Sequence, residues 1–167
     1  MKLLNRNLII SLIFLVLVTI LSVMGSLHIT NGNFYYALDD SYIHMSVVKH
    51  FVEQGIWSVD GYSYASASSS PLWIFTLSPF YLLFGARSFV YIPFVLNIFF
   101  QMLSLIMIFK IIRTHTYRDL HYVFGIAIIL FTPFVALSFG GMEHSMQIFL
   151  VILIISMFLD YINQPDL

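Results

Sequence analysis

The chain has 167 residues, of which 60 % are hydrophobic and 9 % charged, with a formal net charge of −1 and a mean hydropathy of +0.93. Soluble domains carry about a quarter of their residues as Asp, Glu, Lys or Arg, so this composition is that of an integral membrane protein and excludes an ordinary soluble domain. The near-zero charge argues against nucleic acid as a partner, and the lack of cysteine excludes a disulfide framework and thiolate chemistry. A metal site must then draw on Asp, Glu or His.

At roughly 20 residues per span the chain has room for a handful of membrane helices. Lys2 and Arg6 precede an uncharged segment over 8–27, long enough at 1.5 Å per residue to cross a hydrocarbon core of roughly 30 Å. The basic flank puts the N-terminus in the cytoplasm. A cleaved signal peptide is the rival reading, but the run exceeds an h-region of about 7–15 residues and no convincing small-x-small site follows it. An uncleaved anchor is expected.

Asp39 and Asp40 then stand where the chain first leaves the apolar phase, and a carboxylate pair at a membrane surface is a place to look for chemistry. After them Ile43, Val47, Val48, Phe51 and Val52 recur at helical spacing, with Ser41, His44, Lys49, His50 and Glu53 on the other side, until Gly55. At about fourteen residues this helix is too short and polar to span, and is expected to lie in the outer interface. Asp39 or Asp40 is its N-cap, and His44 and His50 are expected to be solvated.

The Tyr, Ser and Ala stretch over 61–70 lacks periodicity and reads as a loop, after which Ser70-Pro71 suits an N-cap and first helical residue. The apolar run 72–84 contains Pro79 and ends at Gly85-Ala86-Arg87. Further uncharged segments cover 88–109 and 122–142, with Pro133 as a kink, and a last span over 145–162 is uncharged up to Leu159, before Asp160. Asn97 and Gln101 suit interhelical hydrogen bonds. Glu143 and His144 follow Gly140-Gly141, which would suit a solvated hairpin. Tyr35, Tyr36, Trp57 and Trp73 read as interfacial anchors.

If 72–84 crossed, Lys110, Arg113 and Arg118 would fall outside, against the tendency of basic loops to stay in the cytoplasm. If it dips into the outer leaflet as a second juxtamembrane helix, those residues join Lys2 and Arg6 inside, and Glu143 returns to the face of Asp39 and Asp40. The expected fold is therefore an all-α membrane protein with four transmembrane helices (8–27, 88–109, 122–142 and 145–162), both termini cytoplasmic, and two juxtamembrane helices in a long outer loop over 28–87.

The stretch from Leu38 to Gly85, with Asp39-Asp40-Ser41-Tyr42-Ile43, the glycine stop at Gly55 and Ser70-Pro71-Leu72-Trp73, resembles the first outer loop of the GT-C superfamily of membrane glycosyltransferases, in particular the bacterial lipid-linked arabinofuranosyltransferase branch. The stretch 137–154, with Gly141-Met142-Glu143, resembles that family's second-loop motif. Ser46 stands where many members have arginine, and His144 where threonine is usual. The family's enzymes are longer, so the resemblance implies the N-terminal portion of such a protein, in the bacterial inner membrane.

The resemblance implies transfer of a sugar from a polyprenyl-phosphate donor to a glycan or lipid acceptor hydroxyl at the outer face, in cell-envelope glycan assembly. An alcohol needs a base to take its proton, and the leaving phosphate needs electrostatic support. Asp39, Asp40 and Glu143 are the expected catalytic carboxylates. Lys49 and Arg87 are expected on the lipid phosphate, Tyr42 and Trp73 on the substrate, and Asp40 with Glu143 on a possible Mg or Mn ion. The alternative is a catalytically inactive membrane protein, a truncated product or accessory subunit. A small transporter is weaker, because no expected span carries an ionisable residue at mid-depth.

Overall fold

The computed structural model describes residues 6–112 and 121–163. Lys2, Arg113 and Arg118, part of the charge argument for sidedness, lie outside the described residues. Those described are all-helical, without a strand: α1 (Arg6–Ile29), α2 (Asp40–Gln54), α3 (Pro71–Phe89), α4 (Ile92–Ile112), α5 (His121–Phe131), α6 (Phe134–Gly140) and α7 (His144–Ile162). Among them α1, α3, α4 and α7 are each long and apolar enough to cross a membrane, and α5 with α6 form a pair bent by 42°. This is the architecture of an all-α, multi-pass membrane protein.

Local chemistry explains the breaks. Pro133 lacks an amide hydrogen and its ring clashes with the preceding turn, so α5 ends at Phe131 and α6 restarts at Phe134. Gly85 takes φ 69°, ψ 169°, a conformation outside the helical basin, and divides α3 into a stretch up to Phe84 and a last turn over 86–89. The uninterrupted part is about 21 Å long. Helix α4 begins at Ile92 rather than at Ser88, because Ser88 and Phe89 belong to that last turn of α3 and Pro93 suits the opening turn of the next helix.

The chain forms two compact units. One comprises Met1–Phe34, Ile98–Ala136 and His144–Leu167. There α1 packs on α5, around a core of Leu8, Leu15, Leu105, Phe109, Ile129 and Phe134. The contact is close because Gly125 has no side chain: a Cβ there would sit 2.2 Å from Ser11 Oγ and 2.9 Å from Phe109 Cε2. Gln101 forms the expected interhelical bonds, its amide donating to the Phe134 carbonyl at 2.6 Å and the Ser145 hydroxyl at 3.0 Å. Lys110 pairs with Asp160 at 2.5 Å. Ile13, Leu17, Leu21 and Met24 of α1 and Val151, Ile154 and Phe158 of α7 are exposed, as helices that meet lipid tails require.

The other unit comprises Tyr35–Asn97 and Leu137–Glu143. Here α2 packs on α3, and Val47 and Val48 of α2 and Ile74 and Leu77 of α3 are all fully buried. Helix α2 ends at Gly55, whose φ of 71° is left-handed and whose N–H returns to the Phe51 carbonyl at 3.1 Å. Phe51, Trp57 and Phe75 pack as three rings with centroids 5.6–5.9 Å apart, so Trp57 is held in an aromatic cluster. Asn97 bonds its own helix, donating to the Pro93 carbonyl at 2.8 Å, rather than a neighbour.

Candidate functional site

The second unit holds Asp39, Asp40 and Glu143 together with a histidine. Asp39 occupies the N-cap position of α2 but has helical dihedrals (φ −65°, ψ −28°), and its side chain makes no capping bond. Both aspartates are exposed. Asp39 is thus the N-cap residue expected from the sequence, without the side-chain capping bond.

Glu143 is brought in by a short turn after α6. A Cβ at Gly141 would lie 2.6 Å from the Tyr36 ring and 2.7 Å from Ser41 Oγ, and its φ is +63°, so only glycine fits. The turn is fastened from three sides. The Trp73 indole N–H donates to the Gly141 carbonyl at 3.3 Å, the Ser41 hydroxyl donates to the Gly140 carbonyl, and the Ala37 N–H donates to the Phe139 carbonyl at 2.8 Å. Glu143 ends up 5 % exposed. The solvated hairpin expected here is thus a buried turn, because its backbone polar groups are taken up by α2, α3 and the segment before α2.

Trp73 itself is fully buried. Its ring offers no open face to a sugar, and its role is to hold the Glu143 turn, which corrects both the stacking and the anchor expectations. Tyr36 is also buried rather than interfacial: its hydroxyl donates to the Val90 carbonyl at 2.7 Å and accepts the Phe94 N–H at 3.0 Å. Burial raises its phenol well above the ordinary range. Tyr42 accepts the Tyr36 N–H at 3.0 Å and meets its ring edge-on at 5.7 Å, yet stays exposed. Tyr35, Lys49 and Arg87 are exposed, Arg87 just beyond the Gly85 break.

His44 overturns the solvated reading of α2's polar face. It is 2 % exposed, and its Nδ1 lies 3.1 Å from the Ser68 hydroxyl. The loop after α2 folds back along this face: Ser46 donates to the Val59 carbonyl at 2.7 Å, and His50 Nδ1 lies 3.2 Å from the Ser58 carbonyl. The loop holds its own shape through Asp60, which accepts the Ser58 hydroxyl at 2.7 Å and the Tyr62 N–H at 2.9 Å. Those hydrogen bonds keep the Asp60 carboxyl below its usual range.

Burial pulls the His44 imidazole below its ordinary range, while the charges of Glu143 and then Asp40 push it back up. Two carboxylates far apart in the chain thus act on one buried ring. Asp40 and His44 are one helical turn apart, a spacing that faces their side chains the same way and was the available signal for this residue. Nothing local announces Ser68 or the Trp73–Gly141 contact.

The metal expectation fares differently. Among the described residues no group of three or more His, Asp or Glu side chains is arranged to hold a metal ion, and the expected pair Asp40 and Glu143 would supply two ligands. The arrangement offers exposed carboxylates for proton abstraction, with a buried titratable pair behind them. Comparison with protein-family models, with curated proteins and with solved structures finds no match to this chain.

Proposed function

We propose that this chain is a GT-C type glycosyltransferase, or the N-terminal part of one, that transfers a sugar from a polyprenyl-phosphate donor to a glycan or lipid hydroxyl at the outer face of a bacterial inner membrane. What supports this reading is one observation: the two stretches that carry the resemblance, around Asp39-Asp40 and around Glu143, are packed in the same unit and fastened by direct hydrogen bonds.

In this reading α1, α4, α5 with α6, and α7 cross the membrane, and both termini are cytoplasmic. Helix α3, long and apolar enough to span when taken through to Phe89, is read here as staying in the outer leaflet, because its unbroken part up to Phe84 is about 21 Å against a core of roughly 30 Å. Helices α2 and α3 then lie at the outer surface, where the acidic side chains meet water.

The chemistry asks little of the protein. The acceptor hydroxyl gives its proton to Asp40 as its oxygen bonds to the anomeric carbon. The bond from that carbon to the phosphate oxygen breaks, and the phosphate leaves with the electron pair. Lys49 and Arg87 are the local cations for that charge, Tyr42 is the exposed ring for the sugar, and Asp39 binds the acceptor.

The test is sugar transfer by the full-length protein in lipid nanodiscs, using short-chain polyprenyl-phosphate donors. Asp40→Asn is expected to lower the rate by about a hundredfold or more and Asp39→Asn by less. Full activity in Asp40→Asn removes the proposed base.

A further inference from the structure

Histidine 44 is the one residue of this unit whose surroundings its position on α2 does not explain. A ring on the polar face of a short interfacial helix has water available to it. This one is instead covered by the loop after α2, hydrogen-bonded to Ser68, and placed in the field of Asp40 from its own helix and Glu143 from the turn before α7. Its own helix, the loop after α2 and the charge of Glu143 all act on one imidazole.

A buried neutral imidazole is a proton acceptor with nowhere to exchange quickly, and a buried imidazolium is tolerable only with counter-charge. Here the counter-charge is built in. Glu143 and Asp40 are the titratable groups that act on the ring, and the Ser68 hydroxyl is a neutral partner that donates to Nδ1 in one tautomer and accepts from it once the ring is charged. The site therefore suits both protonation states, which a purely structural histidine does not need.

We propose that His44 is the proton store of this site, a positioning residue that takes up, through Asp40, the proton released by the acceptor hydroxyl. This inference rests on the glycosyltransferase reading. The proton balance is simple. The hydroxyl proton passes to the Asp40 carboxylate, then from the Asp40 carboxyl to neutral His44, whose imidazolium is stabilised by the charges of Glu143 and Asp40, and it returns through the exposed Asp40 to water when product departs. Asp40 is thereby returned to its basic form within the turnover. Glu143 makes no contact with substrate in this scheme and acts by stabilising the charged ring.

The experiment has two arms on the full-length protein in nanodiscs. In the first, the imidazole resonance of His44, assigned by its loss in His44→Gln, is titrated by NMR in wild type, Glu143→Gln and Asp40→Asn. Removing either carboxylate is expected to lower the His44 midpoint by about half a unit or more, and midpoints unmoved in both variants overturn the inference.

In the second arm, sugar transfer from a panel of short-chain polyprenyl-phosphate arabinofuranose, mannose and glucose is followed against pH. The wild-type rate is expected to fall at acidic pH as His44 becomes protonated, and His44→Gln is expected to be slower by about tenfold or more and to lose that limb. His44→Asn, whose amide reaches the position of Nδ1 and keeps the Ser68 bond, is the folded control and is expected to lose the limb as well. An active wild type whose acidic limb survives in both variants overturns the role of His44 alone. A wild type inert toward the whole panel overturns the glycosyltransferase reading itself, whatever the NMR arm gives.

Discussion

The indole of Trp73 reaches the carbonyl of Gly141, 68 positions further along the chain, at 3.3 Å. The bond ties the first turn of α3 to the turn that carries Glu143, inside a space where Trp73 has no exposed surface. Its removal separates packing from hydrogen bonding. Trp73→Phe, which loses the N–H but keeps much of the ring, is expected to cost about 0.5–1.5 kcal/mol, and Trp73→Ala about 3–5 kcal/mol. Thermal unfolding in detergent followed by circular dichroism measures both.

Gly141 faces the same cluster from the other side. A methyl group there collides with Tyr36 and Ser41, and the left-handed backbone is unfavourable for alanine. Gly141→Ala is expected to destabilise by about 2–5 kcal/mol, the sum of overpacking and backbone strain. Gly140→Ala, where the nearest atom to a Cβ is 3.9 Å away, is the comparison and is expected to be mild in the same assay.

The α1–α5 contact makes a similar demand at Gly125. Gly125→Ala brings a Cβ within 2.9 Å of Ser11 Cβ as well as 2.2 Å of its Oγ, so no rotamer of Ser11 relieves the clash. The expected cost is about 1–3 kcal/mol. Ser11→Gly is expected to restore part of it, leaving the Phe109 contact, and a double-mutant cycle on thermal stability reads the coupling.

Acid sensitivity follows from His44. Its folded-state pKa is lowered from the ordinary value of 6.5, chiefly by burial, so between the folded and unfolded midpoints the unfolded chain binds more protons and stability rises with pH. Stability is therefore fully present above about pH 6.5 and is lost as pH falls toward the lowered midpoint. His44→Gln is expected to flatten the pH dependence of the melting temperature in that window, and an unchanged slope would count against a buried neutral ring.

By contrast, Lys110 and Asp160 are largely in reach of solvent. Despite their short separation, Lys110→Ala is expected to cost no more than about 1 kcal/mol, with the difference from wild type shrinking as salt is raised. Melting curves across ionic strength check this.

Elements governed by local chemistry were legible in the sequence. Helix α2 starts at Asp40 and stops at Gly55, α3 starts at Pro71, and the kink falls at Pro133, because caps, glycine and proline act on their own backbone. The apolar segments of α1 and α7 were readable for the same reason. The start of α4 was displaced because helix resumes after Gly85, which depends on two dihedrals and not on hydropathy. Burial was the least legible property. His44, Trp73 and Glu143 look interfacial or solvated by their neighbours in sequence, and only the return of residues 57–70 and of the Gly141 turn onto α2 and α3 covers them.

Gly85 interrupts α3 just after Leu82, Leu83 and Phe84, all exposed. A helix end leaves up to four carbonyls without an amide to receive, and such groups are costly in hydrocarbon, whereas the three side chains before it favour an oily neighbourhood. In the outer-leaflet placement proposed for α3, the two demands are met together at a single depth, where acyl chains give way to headgroups. Under that proposal this end of α3 acts as a float, so that bilayer thickness and acyl composition bear on where the loop-covered face of α2 rests.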